Sequence, residues 1–146
     1  MKNSALFYTC SLIEYIGRQQ KQKRSEVVRI LEKESIRRIY NFADVFHCEP
    51  IEKTADDFIM MYNIPQGDFD NIARCMYTVP THWDIGKVYQ RLIEDVAKET
   101  DEQIIDILMN VYTSWISDTI SNYNSDFYYQ NRGYIFACYK EGYVLE

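Results

Sequence analysis

The residues of this chain with the most chemistry in them are Asp44, His47, Cys48 and Glu49, with Cys75 and His82 as more distant additions. Asp44 and His47 lie three apart, so on a helix they share a face, as two ligands of one metal would. No Cys/His pairing has a zinc-finger spacing, however, and neither ExxH nor HExxH occurs. We expect His47 to finish a helix and Cys48 to pack, with no metal bound. A hydrolytic triad would need a Ser or Cys beside one of only 2 histidines, and no G-x-S-x-G or recognisable Cys signature supplies one. The carboxylate pairs Asp56-Asp57, Glu94-Asp95 and Asp101-Glu102 fit first turns or solvated faces of helices, where acidic residues belong. None of the 5 glycines forms a phosphate-binding loop. The expectation is a protein with no catalytic residues and no cofactor.

Two surfaces remain as candidates for binding. The first is basic: residues 1–40 hold nine Lys/Arg against four Asp/Glu, whereas residues 41–146 hold seven against eighteen. Arg29, Arg37 and Arg38, in a helix-corner-helix arrangement, could neutralise phosphates, which makes a DNA-binding regulator the alternative reading. Glu26, Glu32 and Glu34 on the same segment oppose it, as does a net charge of −6. The second surface is aromatic. Ten aromatic residues fall between Tyr112 and Tyr143, and a short helical stretch cannot bury all of them. Tyr112, Tyr123, Tyr128, Tyr129 and Tyr139 are therefore expected on outer faces, where Tyr is a favoured anchor for a protein partner or a second copy in a homodimer.

These groups must be carried by helices. With 5 Gly and 3 Pro in 146 residues the chain lacks the regular turn signals of a sandwich or barrel. The apolar spacing predicts an all-α, single-domain bundle of seven to eight helices. One spans residues 4–20, a second starts at Ser25, and a third runs over 34–47. Further helices are placed by T-x-x-D/E/Q starts at Thr54, Thr81 and Thr100. A short one covers 69–77 behind Asp68, and a last one runs from Ser125 to Gly142 with a weak point at Gly133. The only candidate seam is 64–68, around Pro65 and Gly67. No apolar run reaches bilayer-spanning length, and four cysteines spaced 38, 27 and 63 apart read as free thiols, so the expected location is the cytoplasm.

LFYTCSLIEYIGRQQ, followed by SEVVRILEKESIRRIYNFADVFHCEPIEKTADDFI, resembles a small bacterial family of unknown function. In it an apolar helix ending in I-E-Y precedes a second helix, a D-V-L-H segment and an acidic D-D-F-I end. The matching residues here are Ile13, Glu14 and Tyr15, then Asp44, Val45 and His47, then Asp56 to Ile59; Phe46 stands where the leucine is usual. Members often lie beside genes for ADP-ribosyltransferase-like toxins, so the resemblance implies an antitoxin or accessory binding role. It spans residues 5–60, and residues 65–146 have no counterpart in it.

Overall fold

Apolar residues at Leu6, Cys10, Ile13 and Ile16 form one stripe along the first helix, and all four are buried. The computed structural model describes residues 2–146. Its helices are α1 (Lys2–Gln20), α2 (Arg24–Asn41), α3 (Ala43–Phe46), α4 (Ile51–Tyr62), α5 (His82–Ala97), α6 (Ile104–Tyr112), α7 (Trp115–Ser121) and α8 (Arg132–Glu141), with a 3₁₀ turn at Phe127–Tyr129. The protein is all-helical, as the spacing predicts, with no strand among the described residues. α1 is the centre, packing against α2, α3, α4 and α5, while α5 also meets α6 and α8.

The crossing of α1 and α5 is close because Gly86 faces Ser11. A Cβ on Gly86 would lie 2.2 Å from the Ser11 Oγ and 3.0 Å from its Cα, so only hydrogen fits there. α5 starts where the sequence places it. The Thr81 Oγ accepts the Asp84 amide at 3.0 Å, and the Asp84 carboxylate accepts the Thr81 amide at 2.8 Å. Ile85, Tyr89, Leu92 and Ile93 then form its buried face.

Several expected boundaries move. The helices expected at Ser25 and over 34–47 become one element, α2, broken at Glu32, whose backbone has φ 67° and ψ 160°. Leu31 and Ile36 are five apart, one residue too many for a continuous apolar stripe, and the break restores the phase so that both are buried. The third helix also stops at Asn41, leaving α3 as a separate turn. Thr54 does not cap α4. That helix begins behind Pro50, anchored by buried Ile51, and Thr54 is buried inside it. Residues 69–77 are turns rather than a helix, because the Asp70 carboxylate takes the Ala73 amide and the Asn124 side chain takes that of Met76.

The long helix expected from Thr100 begins at Ile104 and is interrupted at Thr113-Ser114, whose hydroxyls donate to the carbonyls of Met109 and Val111. Ser114 then caps α7 through the Ile116 amide. Ser125 caps only the 3₁₀ turn, and α8 starts at Arg132 with Asn131 accepting the Tyr134 amide at 2.8 Å. It ends at Gly142 with φ 91°, a left-handed closure suited to glycine. The 64–68 stretch is bound to the corner after α1: the Gly67 amide donates to Gln20 and the Phe69 amide to Lys21, each at 2.8 Å.

Candidate functional site

The presumptive ligand cluster does not assemble. Asp44, His47, Cys48 and Glu49 are all exposed, and the Cys48 thiol donates to the Asp44 carbonyl. Cys75 sits near Tyr77 and Tyr123, and His82 lies on α5 between the rings of Tyr15 and Trp83. Among the described residues no three His, Cys, Asp or Glu side chains are placed to hold one ion.

The basic surface is largely answered from within. Arg29 pairs with Glu26 at 3.2 Å, and Arg37 pairs with Glu34. The Arg38 guanidinium lies 5.9 Å from the centre of the Phe58 ring. A phosphate-binding face would have to displace both ion pairs.

The five tyrosines separate, and two are not on an outer face. Tyr112 is wholly buried, stacked on Tyr89 with ring centres 3.9 Å apart, and its hydroxyl lies 3.4 Å from the Glu14 carboxylate. Tyr123 is buried with its hydroxyl accepting from Arg18 at 3.2 Å. Both turn inward because the interior contains charge. Arg24 and Glu14 form a fully buried pair, Nε to Oε1 3.1 Å, and polar-tipped rings are the large side chains that can pack and still reach it. Gly17 makes room for Arg24, since a Cβ there would lie 2.5 Å from the arginine Cδ. Burial lifts the Glu14 carboxyl above the ordinary range despite the pull of Arg24. It likewise raises the Tyr89 and Tyr112 hydroxyls and the Cys10 thiol. These groups are sealed inside the bundle, where their polarity serves packing. Tyr139 is half-buried elsewhere, beside Trp115 and Phe136.

Tyr128 and Tyr129 do reach the surface, at the wall of the feature that stands out. A groove of about 670 Å³ runs between α5, the Thr78–Pro80 segment, the 3₁₀ turn and the start of α8. Trp83, Lys87 and Arg91 form one stripe along its α5 wall at i, i+4 and i+8, opposite the buried face of that helix. Phe7 of α1 packs on Trp83, ring centres 5.6 Å apart, and the Lys87 ammonium lies 4.5 Å from the Phe7 ring centre. Tyr129 is 68% exposed and Trp83 39%. A second depression, lined by Tyr77, Asn124, Ser125 and Asp126, shares Tyr128 and Tyr129 with the groove.

The polar groups on the walls differ in how they are engaged. The Asp84 carboxylate is held by the α5 cap. Arg132 is held by Asp95 at 2.8 Å and Glu94 at 3.3 Å. Lys87 and Arg91 form no ion pair among the described residues. Sequence reasoning had singled out Tyr128 and Tyr129 but not Phe7, Trp83, Lys87 or Arg91. The usable signal was the pairing of a tryptophan with two cations on the polar side of an otherwise regular amphipathic helix. Comparison with protein-family models, curated proteins and solved structures finds no match for this chain.

Proposed function

We propose that the chain is a non-enzymatic helical module of the cytoplasm that binds a partner protein on the α5–α8 groove, in the antitoxin-like or accessory manner implied by the sequence resemblance. The observation that carries this reading is the coincidence, on one concave surface, of exposed aromatic side chains with two cations lacking internal counter-charges. Aromatic anchors in a pocket bordered by charge are the usual core of a protein interface. Four free thiols accord with a reducing compartment, and no helix among the described residues is long and apolar enough to cross a membrane. A second copy is the poorer occupant: a two-fold contact of groove on groove would set Lys87 and Arg91 against themselves.

The test is affinity purification from the host with wild-type bait and a Trp83→Ala/Tyr129→Ser variant whose helical spectrum is unchanged. One stoichiometric protein held by the wild type and lost from the variant is the expected result. Recovery of the same protein by both baits removes the groove from the reading. Salt-labile nucleic acid recovered instead, and lost on Arg29→Ala/Arg37→Ala/Arg38→Ala substitution, replaces it with the DNA-binding alternative.

A further inference from the structure

Resting on that reading, we infer that the groove receives an extended acidic segment of the partner, whose carboxylates pair with Lys87 and Arg91 while a neighbouring apolar side chain seats between Trp83 and Tyr129. Charge comes first. The chain carries −6 overall, and residues 41–146 hold an excess of eleven negative charges. Two adjacent cations without an internal partner run against that background. Nearly every other cation bordering the groove or lying on α2 is engaged: Arg132 with Asp95 and Glu94, Arg29 with Glu26, and Arg37 with Glu34. Lys87 is instead poised over the Phe7 ring, which holds its ammonium at the groove wall without neutralising it.

Spacing supports an extended ligand. Side chains four apart on a helix have Cβ atoms about 6 Å apart. Alternate side chains of an extended peptide repeat at about 6.6 Å on one face. Two acidic residues separated by one residue therefore match the Lys87–Arg91 step, and the residues beyond them run on toward Trp83. A segment rather than a compact small molecule also suits the two neighbouring depressions, each about 670 Å³, which share Thr78, Tyr128 and Tyr129 as lining. The groove's aromatic lining, with Trp83 and Tyr129 both exposed, accepts an aromatic or branched aliphatic side chain.

The experiment is selection of random short peptides displayed on phage against the intact protein, followed by titration of the enriched peptides in solution. Binding is read from the fluorescence anisotropy of dye-labelled peptides, a signal that serves the wild type and every variant alike. The expected peptides carry two acidic residues spaced by one, beside a Phe, Trp, Leu or Ile. Their affinity should fall at least about tenfold on Lys87→Glu/Arg91→Glu substitution and weaken with added salt. Enriched peptides without acidic residues, or with unchanged affinity for the charge-reversed protein, overturn the acidic assignment. If those same peptides are lost on Trp83→Ala/Tyr129→Ser substitution, the groove remains the docking site and only its charge specificity falls. If no enriched peptide responds to either pair of substitutions, both the acidic assignment and the groove reading fail.

Discussion

Two arrangements of charge in this molecule use similar residues to opposite ends. Between α1 and α2, Arg24 is met at 3.1 Å by Glu14, both without solvent contact, with Tyr112 close by and Gly17 clearing the space. On α5, Lys87 and Arg91 stand along a groove with aromatic neighbours and form no ion pair among the described residues, the nearby Asp84 carboxylate being taken by the helix cap. The first arrangement has its counter-charge inside the chain, with only the Arg24 Nη2 left without a partner, and its loss would be felt by the fold. The second is incomplete, and its loss would be felt by whatever binds. A charged side chain points to function here when the chain has not supplied its counter-charge.

The largest effect should come from halving the buried pair. Arg24→Leu leaves the Glu14 carboxylate alone in the core and should cost about 3–5 kcal/mol in a denaturation experiment. Glu14→Leu/Arg24→Leu should be less damaging than Arg24→Leu alone, because no charge is then stranded. A double variant as unstable as the single one would mean that packing of the arginine stem, not charge, dominates. Next is the helix crossing, where Gly86→Ala should destabilise by about 1–3 kcal/mol as Ser11 and its backbone are pushed aside. A neutral result there would show that α1 and α5 can part without loss.

On the other side of the comparison, Lys87→Ala/Arg91→Ala should leave the unfolding free energy in urea unchanged to within about 0.5 kcal/mol while abolishing the salt dependence of partner binding. Marked destabilisation would make the two cations structural after all. Light scattering at micromolar concentration should show a monomer, and a stable dimer sensitive to Tyr129→Ser would make a second copy the occupant.

The smallest effect concerns acid. Burial, and then the nearby Arg18, hold the His82 imidazole below its ordinary range, and its Nε2 is enclosed without a partner. Folding therefore favours the neutral ring. That contribution is complete above about pH 6.5 and declines as the pH falls through the depressed value. Wild type should lose more stability between pH 7.5 and 5 than His82→Phe, by less than about 1 kcal/mol; equal losses would leave His82 without a part in acid sensitivity.

The helical class was readable because the apolar stripes of α1 and α5 keep their phase over several turns, and the α5 start was readable because both halves of its capping box are local. What was lost came from elsewhere in the chain. Thr54 fits the same four-residue pattern as Thr81, yet Pro50 and the burial of Ile51 start that helix earlier. Tyr112 and Tyr129 look alike in sequence, and only the position of a charge nearly a hundred residues away, Glu14, draws the first inward. The groove escaped for the same reason: Phe7, Trp83 and Arg132 come from three helices whose approach no local spacing encodes.

The central place of α1 bears on how the chain is made. Its buried stripe is covered chiefly by α2, α4 and α5, and the last of these ends at Ala97. During synthesis at about 5–20 residues per second, roughly 4–16 s separate the end of α1 from the end of α5. Over that interval Leu12, Ile13 and Ile16 lack their final cover on a nascent chain. The helix that organises the finished bundle is thus, for several seconds, the segment most open to chaperones and to association with neighbouring chains.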